Sequence, residues 1–309
     1  MPVRCSCMQE GAPIPVIVNR QGGTASAEGE GLRDQLAEAF AGAGLEADIR
    51  LVEGQEVAGM VRELSDRPLV VVGGGDGTIG GAAFARAEAG QGALGILPLG
   101  TRNHLARELG IPLTLPEAAA TIAAGETRRI DLAEVNGHGF VNNASIGVYP
   151  LLVRAREAHR SRVALPKWLA TIPAAFGTLR RLPYHRLRLE MDGAPHPVRT
   201  ALLFVGNNFY SLEAGRVGER VALDDGKLSV LAVAAGSRMG LVTAGLRLMA
   251  GRGDKERDFA AIGECATLTV RSRRGSIDVA LDGEVVRLKL PLEFRIRHKA
   301  LTVVAPPQA

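Results

Sequence analysis

Val70-Val71-Val72-Gly73-Gly74-Gly75-Asp76-Gly77-Thr78-Ile79-Gly80 reads as a buried strand that runs straight into glycines and then into a helix. Glycines there let the backbone turn tightly and let an anion approach the main chain, while the helix N-terminus offers N–H donors and a partial positive charge. Gly75, Gly77 and Gly80 also satisfy the GxGxxG spacing of a dinucleotide site. That chemistry wants a carboxylate at the end of the next strand to take the ribose hydroxyls. The next apolar run, Ala93 to Leu97, ends instead in Pro98-Leu99-Gly100-Thr101. No Lys follows the glycines, so a Walker loop is excluded as well. Asp76 would repel a bare pyrophosphate unless it touches a sugar hydroxyl or works through a cation. The pattern favours a nucleoside triphosphate held with Mg2+.

Working outward, short apolar runs alternate with helical stretches from residue 14 to 134. Strands are expected at Pro15 to Val18, Ala47 to Val52, Leu69 to Val72 and Ala93 to Leu97. Helices are expected at Leu32 to Ala41, Val57 to Leu64, Gly80 to Ala89, Thr101 to Leu109 and Pro116 to Ala123. The strands show little alternation, as burial on both faces requires. This is the grammar of a doubly wound α/β nucleotide-binding domain with a mostly parallel sheet. From 135 to 298 the grammar changes to short strands punctuated by Asn136-Gly137, Asp192-Gly193, Asp225-Gly226 and Asp282-Gly283, dipeptides that favour hairpins. A mainly antiparallel β-sandwich domain follows, with one helical insertion at 150–182. The apolar tail within 299–309 is expected to return to either domain.

The length of 309 residues suits two domains, and 46% hydrophobic residues suffice for two cores. Three cysteines in no CxxC pattern and six scattered histidines indicate neither a disulfide framework nor a transition-metal site. No run reaches the roughly 18 apolar residues of a membrane span, so membrane contact is expected to be peripheral and the protein cytoplasmic.

Pro98-Leu99-Gly100-Thr101-Arg102-Asn103 sets a second glycine and hydroxyl between a strand and a helix. In a parallel sheet both loops emerge at the carboxyl ends of neighbouring strands, where ligands bind. The turn Val18-Asn19-Arg20-Gln21-Gly22-Gly23-Thr24 would form a third wall. Gly-rich turns occur in any α/β protein, so it is the pair of loops that carries the argument.

Taken together, Gly74-Gly75-Asp76-Gly77-Thr78 and Pro98-Leu99-Gly100-Thr101-Arg102-Asn103 resemble the nucleotide site of the diacylglycerol kinase catalytic family. That family also includes sphingosine and ceramide kinases. The likeness continues through Arg129-Ile130-Asp131-Leu132, Asn142-Asn143-Ala144-Ser145-Ile146-Gly147, Asp224-Asp225-Gly226-Lys227-Leu228 and Leu281-Asp282-Gly283-Glu284. It implies ATP as phosphoryl donor with Mg2+, bound by Asn19, Gly74, Gly75, Asp76, Gly77, Thr78, Ile79, Gly80, Gly100, Thr101 and Asn103. It further implies a catalytic acidic pair, with Glu284 as proton acceptor and Asp282 beside it. A structural Mg2+ would sit on Asp225, with main-chain oxygens from Ala222 and Lys227. The chain departs from the family pattern at Arg20, Leu51 and Gly80.

A carboxylate suits removal of an acceptor proton, and a partly dry cleft raises its pKa toward working pH. Asp282-Gly283 is equally a hairpin turn, and Asp225-Gly226 an ordinary one. Between 154 and 188 stand Arg154, Arg156, Arg160, Arg162, Lys167, Arg180, Arg181, Arg186 and Arg188 against Glu157 alone. With Leu165, Trp168, Leu169 and Phe176 they would seat the chain on anionic headgroups at the inner face of the membrane, each charge adding about 1 kcal/mol. A solvated helix side is the plainer reading. No aromatic-basic interleaving points to nucleic acid. The resemblance implies phosphorylation of a hydroxyl on diacylglycerol or a similar membrane lipid. The alternatives are an NAD kinase, which shares the Gly-Gly-Asp-Gly-Thr loop, and a nucleotide or membrane-surface binding protein without catalysis.

Overall fold

The computed structural model describes residues 3–4, 12–21, 31–147, 185–210, 220, 222–233, 247 and 259–307. The chain divides into two units, Met1–Leu132 with His298–Ala309, and Ala133–Arg297. The expected helical insertion at 150–182 lies outside the described residues, as do Gly22 and Gly23.

In the first unit the elements run β1 (Ile14–Asn19), α1 (Leu32–Gly42), β2 (Ala47–Val52), α2 (Gly54–Glu63), β3 (Leu69–Gly74), α3 (Asp76–Ala89), β4 (Ala93–Pro98), α4 (His104–Glu108) and α5 (Leu115–Ala124). The strands are parallel in the order β2-β1-β3-β4. The apolar tail joins them, with Thr302 and Val303 pairing in parallel with Ala93 and Leu94. Every residue of β3 and β4 is buried. The cause is a helix layer on each face: α2 packs on α3, and α1 on α5. Each Val, Ile or Leu so buried contributes about 2 kcal/mol. Small residues make the α2–α3 approach close, since a Cβ on Gly81 would meet that of Ala58 at 4.0 Å.

Three helix starts differ from expectation: α2 begins at Gly54 rather than Val57, where Glu53 and Glu56 close a capping box. α3 begins at Asp76 rather than Gly80, because Gly75 already takes the extended N-cap conformation. The short α4 begins at His104, because Asn103 adopts a left-handed conformation at φ 51° and ends the preceding turn.

The second unit is antiparallel, entered along β5 (Glu126–Val135). It continues with β6 (His138–Phe140), β7 (Asn143–Gly147), β8 (His185–Met191), β9 (Ala194–Thr200), β10 (Leu202–Asn207), β11 (Leu228–Val233), β12 (Phe259–Cys265), β13 (Thr267–Arg271), β14 (Ser276–Leu281), β15 (Glu284–Lys289) and β16 (Leu292–Val304). One sheet has the order β12-β11-β10-β7-β14-β15. In the other, β9, β8, β13 and the first part of β16 pair antiparallel in that order. Inward residues of both sheets, among them Ile146, Val205, Val230 and Val279 against Leu187, Leu189, Leu268 and Phe294, form one core. Phe140 and Phe294 meet edge to face at 6.3 Å within it. This is sandwich packing.

Three of the four turn dipeptides behave as expected. Asn136-Gly137, Asp192-Gly193 and Asp282-Gly283 hold both residues at positive φ, the signature of a type I′ hairpin. Asp225-Gly226 does not, because only Gly226 of that pair is positive. The antiparallel partners near it, β10 and β11, are joined through the whole of 208–227 rather than by a two-residue turn.

Candidate functional site

In the first unit the site is built where β1, β3 and β4 end. The glycines of the first loop have different tasks. A Cβ on Gly73 would lie 2.9 Å from Leu99 and Val18 side-chain carbons, and one on Gly74 2.7 Å from Cβ of Thr78. Those two glycines answer to packing. Gly100 answers to the meeting of the two loops, since its Cβ would fall 2.4 Å from Cα of Gly75.

Hydrogen bonds then lock the loops together. Oδ1 of Asp76 accepts the main-chain N–H of His104 at 2.7 Å. The carboxylate expected to meet a sugar hydroxyl or a cation thus ties the start of α3 to the start of α4. Asn103 accepts the Gly100 N–H at 2.8 Å and donates to the carbonyls of Pro98 and Gly100. Asn19 donates to Thr78 Oγ1 at 2.9 Å while its own oxygen accepts the Gln21 N–H. Gly75, Asp76 and Thr78 are half-buried, Gly77 and Thr101 exposed, and Ile79 and Gly80 buried one turn in. Ile79 and Gly80 are therefore packing residues of α3.

The N-terminus of α3 has no side-chain cap. Its first described intrahelical bond runs from Ile79 N to Gly75 O, so the N–H groups of Asp76, Gly77 and Thr78 precede the helical ladder. Neighbouring α2 is different, because Glu53 and Glu56 close a capping box over its start. The starts of α1, α4 and α5 also lack a side-chain cap, so what sets α3 apart is the Gly100 loop against its N-cap, Gly75. A triphosphate fits that arrangement.

In the second unit the two acids of Asp282-Gly283-Glu284 are not equivalent. The Asp282 carboxylate accepts the main-chain N–H groups of Val141, Asn142 and Asn143 at 2.7, 2.8 and 3.0 Å. Burial pushes its pKa above the ordinary carboxylate value, while those three donors and Arg220 pull it down. Glu284 is exposed at the first residue of β15.

The carbonyls of the same segment are held from the other side. Arg220 and Asn207 donate to Val141 O at 2.6 and 2.8 Å, and the Tyr210 hydroxyl to Asn142 O at 2.9 Å. Sequence reading missed Asn207, Tyr210 and Arg220, because they converge from distant positions with no spacing to announce them.

The expected metal turn is thin. Asp225 is exposed, and the Lys227 carbonyl already accepts the Asn208 N–H at 2.9 Å. The Lys227 ammonium pairs with Glu264 at 3.0 Å, and Glu264 first, then Asp225, hold its pKa above the ordinary lysine value. Among the described residues no group of three or more His, Cys, Asp or Glu could hold a metal ion. A hard divalent cation wants about six oxygens. The Asp225 carboxylate and the main-chain oxygens of Ala222 and Lys227 supply part of such a set, and no chemical step is routed through them. Among the described residues no helix is long and apolar enough to cross a membrane.

Residues 13–135 match the diacylglycerol kinase catalytic domain, and residues 151–305 match the YegS C-terminal NAD kinase beta sandwich-like domain. The diacylglycerol kinase of Staphylococcus aureus strain Newman is 26% identical over 242 residues, 77% of this chain and 74% of that protein. A Pseudomonas aeruginosa protein described as "Probable lipid kinase YegS-like" is 51% identical over 79 residues, which span 25% of this chain and only 26% of that relative. The crystal structure of a diacylglycerol kinase from Bacillus anthracis superposes with a TM-score of 0.67 at 20% identity, covering 96% of this chain and 97% of that one. At that identity the likeness is one of fold.

Proposed function

We propose, since this chain belongs to the diacylglycerol kinase catalytic domain family and carries the YegS-type C-terminal domain, that it transfers the γ-phosphoryl group of ATP to a hydroxyl of diacylglycerol or a similar membrane lipid. The observation that carries the reading is the uncapped start of α3 beside the Gly75–Gly100 contact. There the main-chain N–H groups of Asp76, Gly77 and Thr78 take phosphate oxygens, and the Thr78 hydroxyl, oriented by Asn19, adds a further donor. A Mg2+ ion arriving with the triphosphate would neutralise charge on the transferred group.

Glu284 takes the proton of the lipid hydroxyl as its oxygen bonds to the γ-phosphorus, and the bond to the leaving ADP oxygen breaks. Asp282 is a positioning residue in this scheme, because its carboxylate is committed to the 141–143 main chain. The acceptor works at the cytoplasmic membrane surface, with the protein bound peripherally.

Purified protein with Mg-ATP and a lipid panel in mixed micelles tests the reading, with product identified by mass. A phosphorylated lipid is the expected result. Phosphorylated NAD and no lipid product would establish the NAD kinase alternative, and ATP binding without turnover on either acceptor would leave a binding protein.

A further inference from the structure

The anion site at the start of α3 has no side-chain cation of its own. From Gly73 to Ala85 there is neither Lys nor Arg, and Arg86, the first basic residue of α3, is buried and donates to the carbonyls of Leu64, Ser65 and Arg67. One Mg2+ still leaves a nucleoside triphosphate anionic, and a Walker loop meets that charge with a lysine. Here the charge has to be met from a neighbouring strand end.

β1 ends beside β3, with Val18 opposite Gly73, and β2 ends beside β1, with Val52 opposite Asn19. The Asn19 amide donates to Thr78 Oγ1 at 2.9 Å, and a Cβ on Gly54, the first residue of α2, would fall 2.8 Å from the same nitrogen. Asn19 therefore lies between the starts of α3 and α2. Arg20 is fixed at the second of them, its N–H donating to Val52 O at 3.0 Å and its Nη2 to Glu53 Oε1 at 2.8 Å. Two helix N-termini make the local potential positive, so a guanidinium placed there is unfavourable unless anions join it. Glu53 supplies one charge, already shared with the capping box of α2. The pair adds little to stability, because its side chains are 57% and 36% exposed, and the same exposure leaves the guanidinium within reach of a ligand. Arg102 is the other exposed guanidinium in these loops, but among the described residues only its carbonyl is engaged, by Arg107. A donor held in place beforehand loses less freedom on binding, which favours Arg20.

Resting on the kinase reading, we infer that Arg20, positioned by Glu53, binds the phosphate chain of ATP and supplies the side-chain charge that the glycine loop lacks. Its planar fork keeps one arm on Glu53 and gives another to a phosphate oxygen. The contact grips ground state and transition state alike, so it acts on KM for ATP rather than on kcat.

The full chain is titrated with MgATP in the absence of lipid. Arg20→Ala is expected to raise Kd about tenfold. Arg20→Lys, which keeps the charge without the fork, should raise it about threefold and serves if the alanine variant fails to fold. Arg62→Ala removes the same charge from an equally exposed pair with Glu88, in the last turn of α2, and should leave Kd unchanged. With lipid present, Arg20→Ala should raise KM for ATP about tenfold and hold kcat within about twofold. Displacement of MgATP by inorganic tripolyphosphate assigns the contact. A loss of tripolyphosphate affinity in Arg20→Ala as large as that of MgATP supports the phosphate chain, whereas full retention would put Arg20 on the sugar or base and overturn the inference. Equal MgATP affinity in wild type and Arg20→Ala, or an equal loss in Arg62→Ala, overturns it as well. A wild-type chain that binds no MgATP would sink the kinase reading itself and this inference with it, so the two failures are told apart.

Discussion

Asp192-Gly193 and Asp282-Gly283 reverse the chain in the same way, both residues of each pair at positive φ and the aspartate stapling a neighbouring segment. Asp192 accepts the N–H of Ala266 at 3.1 Å and of Thr267 at 2.9 Å, with the Thr267 hydroxyl at 3.1 Å. Asp282 accepts three main-chain N–H groups at 141–143. The electrostatic outcomes are opposite. Asp192 is exposed, and the Thr267 N–H leads in holding its pKa below the ordinary value, whereas burial leads in pushing Asp282 above it. The turn itself is therefore not the functional signal. What separates the two is the burial of the staple and the residue that follows: Ala194 after one glycine, Glu284 after the other.

Replacing the following residue should break the comparison most. Glu284→Gln is expected to lower turnover by about 10²–10⁴, the usual worth of a general base, with ATP affinity nearly unchanged. Ala194→Gln, at the matching place, should leave turnover as it is. Steady-state rates on the lipid product with ATP binding measured alongside decide this, and equal rates in both variants would reduce Asp282-Gly283-Glu284 to a turn.

Removing the staples should produce the next largest difference. Asp282→Ala leaves three main-chain donors of a partly buried segment without their charged acceptor, and the fold is expected to lose about 3 kcal/mol. Asp192→Ala exposes its donors to water and should cost about 1 kcal/mol. Denaturant midpoints at constant m-value measure both. Equal losses would mean that burial at Asp282 adds nothing to the clamp.

The sequence makes one of these distinctions visible and hides the other. Strand and helix positions in the first unit follow from continuous apolar runs and small-residue helices, and β3 and β4 lie within two residues of their expected ends. The three type I′ turns are legible because Asn-Gly and Asp-Gly accept two successive positive φ values at little cost. Asp225-Gly226 carries the same letters and fails, because whether a dipeptide closes a hairpin depends on which strands pair. The glycine loops announce an anion site, yet Gly73 and Gly74 are set by contacts with Val18, Leu99 and Thr78 that lie far off in sequence or on the next turn. The clamp of Asn207, Tyr210 and Arg220 on residues 141–142 is a tertiary convergence, and no local pattern encodes it.

Acid titration sharpens the comparison through the smallest effect. A carboxyl whose folded pKa is depressed stabilises the fold above the unfolded value and loses that contribution as pH falls through the folded one. Asp192 is such a group, so the stability gap between wild type and Asp192→Asn should be full at neutral pH and close below the ordinary value of 3.8. Asp282 has the opposite sign. Its proton is held more tightly in the fold, so its contribution is greatest below 3.8 and is lost as pH rises through its raised folded value. Carboxyl NMR should accordingly place the midpoint of Asp282 above 3.8 and that of Asp192 below it. If Asp282 instead titrated below Asp192, the three N–H donors at 141–143 would outweigh burial, and the second turn would be an ordinary clamp with a permanently ionised staple.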